Sequence, residues 1–353
     1  MQESLIALLR CPVTRSSFTI NIIKKSTKIL DNQEFEVIDE AVLFSSESWF
    51  YPVIKGIPRL NVEAINDYAD FLKLVVPDFA ERKEKLLAKY AVLLNIVQRK
   101  NARTKKSFTQ EWALYNYEED KTWDADSYEM LNRFLKETDE TLATLKDKII
   151  FDAGCGNGHL NSLLAENGIT NIAMDFSNSI EKANDRNHYS RVHFIQGDVQ
   201  FPPVAFNYFD IVHSSGVLIA TNNTELSFSC IEPIVKDGGK ISVWLYHRRN
   251  NFVHNLFNLI RKVTSKFPLQ FQYYLYRCTI FPVSYIVKRL KGNKQNSREM
   301  MIDILDWFSP EFRWEHDHEE ASAWFYKRNF RKVSITTNGI FGFNITGEKA
   351  IGN

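Results

Sequence analysis

A chain of 353 residues can bury a sizeable core, and its length favours more than one domain. With 44% hydrophobic and 25% charged residues and few Gly or Pro, the composition excludes disordered, collagen-like and repeat architectures. Net charge is only +1, yet twelve of the 44 Lys and Arg and none of the 43 Asp and Glu fall within residues 240–298, an asymmetry that solubility alone does not explain. The four cysteines, Cys11, Cys155, Cys230 and Cys278, show no paired spacing and fit a reducing compartment. The N-terminus lacks the pattern of a secretory signal, and no window offers 18 uninterrupted apolar residues, so a cytoplasmic location is expected.

Residues 1–64 read as a small β-rich unit, with strands at Phe18–Ile23 and Glu34–Ile38 and a strand, glycine turn and exit across 51–60. After Pro77, Asp78 can cap a helix in which Phe79, Leu86, Leu87, Tyr90, Leu93, Leu94 and Val97 recur at helical spacing. A polar gap is expected around Asn101–Lys106. An aromatic stretch (Phe108, Trp112, Tyr115, Tyr117, Trp123) and a helix over Asp126–Thr138 complete a helical linker spanning 65–145. From 146 onward the rhythm becomes strand, helix, strand. Ile149–Phe151, Asn171–Met174, Val192–Gln196, Phe209–His213 and Ile241–Tyr246 are buried-strand candidates. Helices are expected at His159–Asn167, stopped by Gly168, and at Glu225–Val235. This alternation predicts a parallel sheet covered on both faces. Arg331–Thr336 and Ile340–Thr346 around Asn338-Gly339 read as a closing antiparallel hairpin.

The run Asp152-Ala153-Gly154-Cys155-Gly156-Asn157-Gly158 places a glycine turn at the C-terminal end of the first strand, where open α/β sheets bind ligands. Glycine allows close backbone approach there. Asp152 at the mouth of the loop would repel a pyrophosphate and suits an ammonium or sulfonium. Asp175 closes the second strand, where an acid can accept from ribose hydroxyls. Asp198 closes the third, placed to meet an adenine amino group. Three such acids could hold a nucleoside without phosphates, because each hydrogen bond to a charged group contributes roughly 1.5–3 kcal/mol. Cys155 reads as small filler rather than a nucleophile.

Together, FDAGCGNG, Asp175 in MDFSNSIEKA, Gly197-Asp198-Val199 and FDIVHSSGVL at 209–218 resemble the successive motifs of class I S-adenosylmethionine-dependent methyltransferases. The resemblance covers about 146–246 and 299–353. It implies a Rossmann-like α/β fold, a mostly parallel seven-stranded sheet ending in an antiparallel hairpin, with S-adenosyl-L-methionine as cofactor. The implied cofactor contacts are Asp152, Gly154, Cys155, Gly156, Gly158, Asp175, Phe176, Asp198, Val199 and Ser214, with Asp210–Gly216 as active-site floor. Related enzymes often carry a histidine pair after the fourth strand, whereas this chain reads Gly216-Val217-Leu218-Ile219-Ala220. His213 and His247, which follow the fourth and fifth strands, are the candidate general bases, and a structural role is the alternative for each. His316, Asp317 and His318 read as a helix cap, so no metal is expected. Trp112, Tyr115 and Trp123 either cover the cofactor, as in similar enzymes, or pack in the core.

Leu9–Thr14 and Tyr51–Pro58 resemble the small zinc-ribbon-like activator of tRNA and protein methyltransferases. With Cys11 alone, four-ligand zinc is not expected, which leaves a scaffold or docking role. The basic, aromatic insertion at about 247–298 reads as a solvated helical hairpin, a lid over the acceptor, a contact with an anionic membrane or ligand, or, least favoured, a nucleic-acid surface. The expected activity is methylation of a small-molecule acceptor (lipid-linked, sugar or specialised metabolite), with oxygen favoured. The alternatives are an RNA or protein methyltransferase, against which the absence of an Asn/Asp-Pro-Pro-Tyr motif counts, and a non-catalytic adaptor with a degenerate fold.

Overall fold

The computed structural model describes residues 1–114, 127–293 and 295–352. Its N-terminal unit is an antiparallel meander of β1 (Phe18–Leu30), β2 (Gln33–Ser45), β3 (Phe50–Ile54) and β4 (Ile57–Pro58), hydrogen-bonded in that order. Strands β1 and β2 run well beyond the expected segments. Lys24–Lys28 are polar because one face of the ribbon is solvated, while Asp31 and Asn32, with φ of 49° and 60°, make the tight turn joining the two strands.

Two short helices, α1 (Ala64–Asp67) and α2 (Ala69–Val75), lead into α3 (Phe79–Leu114). The helix does not break at the polar gap expected near Asn101–Lys106. Those residues form ion pairs and hydrogen bonds instead: Lys105 pairs with Asp67, and Asn101 bonds Glu63 and Asp198. Tyr115, Tyr117 and Trp123, and the side chains of Phe108 and Trp112, lie outside the described residues. The chain continues through α4 (Ser127–Thr138) and α5 (Leu142–Leu145), the latter closed by a Thr141/Thr144 capping box.

The main sheet is built from β5 (Ile149–Ala153), β6 (Thr170–Asp175), β7 (Val192–Gln196), β8 (Phe209–Ser215) and β9 (Val235–His247), all parallel, and from β11 (Phe330–Asn338) and β12 (Gly342–Lys349), which are antiparallel. Its order is β11-β12-β9-β8-β5-β6-β7, with the short β10 (Glu315–His316) pairing β9. The chain steps from β5 outward to β7 and returns to place β8 on the other side of β5. That reversal opens a crevice at the C-terminal ends of β5 and β8. Helices α6 (His159–Glu166), α7 (Ser179–Asp185) and α8 (Thr224–Ile231) connect the strands. Helix α8 is shorter than expected: a single 3-10 turn at Glu232–Ile234, with Pro233 in it, ends it, and β9 already begins at Val235. The hairpin turn is likewise longer, so β12 starts at Gly342 rather than Ile340.

Between β9 and the hairpin the basic segment forms α9 (Phe252–Thr264), α10 (Leu269–Cys278) and α11 (Ile280–Leu290), packed on α12 (Ser297–Phe308) around Tyr276, Met301, Leu305 and Phe308. Helix α13 (His318–Lys327) covers the hairpin and is capped by Asp317, whose side chain accepts from the Glu320 N–H.

A continuous hydrophobic core runs from Leu5 and Trp49 of the N-terminal unit through Leu94 of α3 to Ile345 of β12. The N-terminal unit is joined to the free edge of β7: Leu60 N–H donates to Gln196 O, and Arg59 bridges to the same residue. The fully buried Arg59 guanidinium bonds Glu181 Oε1 at 2.9 Å and Gln196 Oε1 at 3.4 Å, and the Tyr68 hydroxyl donates to that same Gln196 oxygen. Cys11 is buried with its sulfur 3.8 Å from the Tyr51 hydroxyl. Among the described residues no group of three or more metal-ligating side chains is gathered, and no helix is long and apolar enough to cross a membrane.

Candidate active site

The crevice is a cleft of about 930 Å³, a figure that includes the open solvent at its mouth. Four strand tips contribute: Gly154 and Gly156 after β5, Asp175 and Phe176 after β6, Asp198 and Val199 after β7, and Ser215 and Gly216 after β8. Lys100 and Asn101 of α3 and Asp306 of α12, with Phe312, also line it.

The loop after β5 demands glycine for steric reasons. Gly154 sits at φ +104°, and a Cβ there would lie 2.2 Å from the Val217 side chain. Gly158, at φ +71° on the N-terminus of α6, packs against Ala183 and Phe194, where a Cβ would come within 2.7 Å of both. Gly158 therefore fits helix to sheet and does not line the cleft. Cys155 does not line it either. Burial, reinforced by Asp175 and Asp152, pushes its thiol well above the usual range, so it stays neutral filler.

Asp175 organises the loop. Its Oδ2 accepts the Gly156 N–H at 2.9 Å, and its Oδ1 accepts the Ser177 N–H at 2.8 Å and the Ser177 hydroxyl at 2.6 Å. Burial pushes the carboxyl up, and these hydrogen bonds work against that shift. A carboxylate oxygen has about two acceptor sites, so Oδ2 keeps one for a ligand. Asp198 is similarly used: Oδ1 accepts from Gln200 N–H at 2.8 Å, and Oδ2 from Asn101 at 3.1 Å and Lys100 at 3.2 Å. The sequence did not point to Lys100 and Asn101 because they stand at the start of the stretch expected to break the helix, Lys100 just before it and Asn101 within it.

Several expected site residues serve the scaffold instead. Asp152 does not line the cleft. Its Oδ1 lies 3.1 Å from His213 Nδ1, and His213 Nε2 lies 2.9 Å from Glu137 Oε2 of α4. All three side chains are buried. Burial alone would lower the His213 pKa, but the two carboxylates outweigh it and hold it at about 9. Both ring nitrogens are engaged, so His213 has no free nitrogen for a substrate. Ser214 donates to Ala153 O at 2.9 Å and clamps β8 to β5. Asp210, expected in the floor, lies at the opposite end of β8, where it accepts the Ile149 N–H at 2.8 Å and pairs with Lys236. His247 packs against Phe343 with its Nε2 3.1 Å from Gly339 O, away from the cleft lining.

Asp306 is the titratable group that the sequence did not single out. Burial and neighbouring Asp303 raise its pKa to about 6, opposed by Arg313 and by the Tyr246 hydroxyl, which donates at 3.4 Å. Arg313 is itself held between the rings of Tyr246 and Trp307, 3.8 Å from each centroid. Asp306 thus lines the same cleft as Gly216, Val217 and the α3 residues.

Residues 151–243 match the family model described as a methyltransferase domain. No curated protein matches the chain. Among solved structures, the chain is similar to the magnesium protoporphyrin IX methyltransferase of Synechocystis PCC 6803 with bound S-adenosylmethionine, at 11% identity and TM-score 0.42, covering 71% of this chain and 97% of that one. It is also similar to a putative S-adenosylmethionine-dependent methyltransferase of Methanococcus maripaludis, at 19% identity and TM-score 0.38, covering 72% and 93%. Values this low assign neither acceptor nor reaction. The family match identifies the segment holding the glycine loop, Asp175 and Asp198 as a methyltransferase domain, an enzyme domain that uses S-adenosylmethionine.

Proposed function

We propose that this S-adenosylmethionine-dependent methyltransferase methylates an oxygen of a small-molecule acceptor, of the lipid-linked, sugar-containing or specialised-metabolite kind. The observation that carries the reading is Asp306, a carboxyl with a raised pKa that lines the same cleft as Asp175 and Asp198. An acceptor hydroxyl must lose its proton as its oxygen bonds to carbon, and a positioned base contributes about 10²–10⁴-fold to such a step.

The donor set fits the cofactor. Carboxylates at two neighbouring strand tips line the cleft, and Lys100, the cation beside them, is already paired with Asp198. An acidic rim of this kind suits a cationic nucleoside without phosphates and disfavours a dinucleotide. Asp175 would take a ribose hydroxyl on its remaining Oδ2 acceptor site. Asp198, with three donors already, would offer the one left to the adenine edge. The bound cofactor supplies an electrophilic methyl group that needs no further activation. What remains for the protein is positioning, exclusion of water by α3 and α12, and receipt of the proton at Asp306.

The test is label transfer from methyl-labelled S-adenosylmethionine into fractionated extract of the source cells. Label is expected in small organic products, and label confined to RNA or protein would overturn the reading. With a labelled acceptor in hand, kcat/KM should rise with pH through about 6, because the base acts when ionised. Asp306→Asn should lose that limb and about 10²–10⁴ of the rate while keeping cofactor affinity.

A further inference from the structure

The helices α9 and α11 carry apolar residues on the side that faces away from the core. On α9 these are Phe252, Leu256, Leu259 and Val263, spaced four, three and four apart, with Phe252 82% and Leu259 59% exposed. On α11 they are Val283, Ile286, Val287 and Leu290, spaced three, one and three apart, and Leu290 is 84% exposed. Such spacings place each set on one helical face. No residue of α11 is buried. The core of this subdomain is already complete without them: Ile260, Tyr276 and Phe281 pack with Met301, Leu305 and Phe308 of α12. Apolar faces left outside a completed core mark an interaction site.

We propose that these outer faces of α9 and α11 dock on an anionic lipid surface. Charge selects the occupant. Lys262, Lys266, Arg277, Arg289, Lys291 and Arg298 are all exposed on the same subdomain, and residues 240–298 contain no acid. A second copy presenting the same face would bring like charges together. A nucleic acid would find seven aliphatic side chains on the stripes and one ring, Phe252, a surface that fits acyl chains better than it stacks successive bases. A helix with an apolar stripe flanked by basic residues lies in the plane of a bilayer interface, and each Lys or Arg at an anionic surface contributes about fivefold to binding. Because α12 brings Asp306 to the cleft while α9–α11 pack on it, the membrane-facing subdomain and the cleft share one helix.

The inference goes beyond the proposed reaction and is tested without it. The full chain is sedimented with phosphatidylcholine vesicles, with and without phosphatidylglycerol. Binding is expected to the anionic vesicles, to weaken by roughly tenfold or more without phosphatidylglycerol, and to fall with salt. Leu259→Ser with Leu290→Ser should reduce it by about tenfold or more, since each buried leucine side chain contributes a factor of that order. Cofactor affinity of the double variant should be unchanged, which separates loss of this surface from loss of the active site. Equal sedimentation of the double variant, equal binding to neutral vesicles, a stable dimer dissolved by the same substitutions, or tighter binding to an RNA oligonucleotide than to anionic vesicles would each overturn the assignment.

Discussion

The buried pairing of His213 with Asp152 and Glu137 makes a quantitative prediction about folding. In the unfolded chain a histidine titrates near 6.5, and in the folded state His213 is held at about 9. Between those values the folded state binds the extra proton, so stability falls as pH rises. The contribution is fully present below pH 6.5, declines by about 1.4 kcal/mol per pH unit, and totals about 3 kcal/mol, gone above pH 9. The Met1 amine works in the opposite sense, because burial lowers it to about 5 and favours the folded state as pH rises from 5 to 8. The measurement is therefore a difference: urea unfolding of the wild type and of His213→Gln, from pH 6 to pH 10, in which the Met1 contribution cancels. At pH 6 the variant should be less stable by about 3–5 kcal/mol, because two buried carboxylates lose their cation. That gap should shrink by about 3 kcal/mol by pH 10. A gap independent of pH would show that His213 is not a buried cation. Unaltered stability with lost methyl transfer would return it to the role of base.

Asp175→Ala should weaken S-adenosylmethionine binding by about 1.5–3 kcal/mol in calorimetry, the scale of a lost hydrogen bond to a charged group; undiminished affinity in a folded variant would remove the ribose assignment. Gly154→Ala should cost about 1–3 kcal/mol of stability, through backbone strain and the clash with Val217. Adding Val217→Ala should restore the part that comes from the clash, and no recovery in thermal unfolding would leave the backbone as the whole cause.

The parallel strands were legible because each is a short apolar run ended by a turn, and burial on both sheet faces imposes that pattern. The glycine loop, Asp175 and Asp198 could be read because they sit at strand tips, which backbone topology alone brings together. Lys100, Asn101 and Asp306 escaped notice for the converse reason. Each stands on a helix distant in sequence and reaches the cleft only through tertiary packing. Asp152 and His213 misled in an instructive way. Strand-tip position cannot tell which way a side chain turns: Asp152 meets His213, and His213 reaches Glu137 of α4, distant in the chain. Polar residues within elements caused the boundary errors: Lys24–Lys28 lie where one face of the ribbon meets solvent, and Asn101 and Lys105 where α3 meets hydrogen-bond and ion-pair partners.

The seam between the N-terminal meander and β7 bears on how such a chain survives its own synthesis. An open parallel sheet ends in a row of unanswered N–H and carbonyl groups, a template on which a neighbouring polypeptide can extend. Here the chain answers part of that row itself, through Leu60 and Arg59 on Gln196. Because the plug is tethered and shares a hydrophobic core with the main sheet, it need not compete against dilution. Trimming the first sixty residues should thus bare both that row and the apolar core beneath it, and yield a protein prone to self-association.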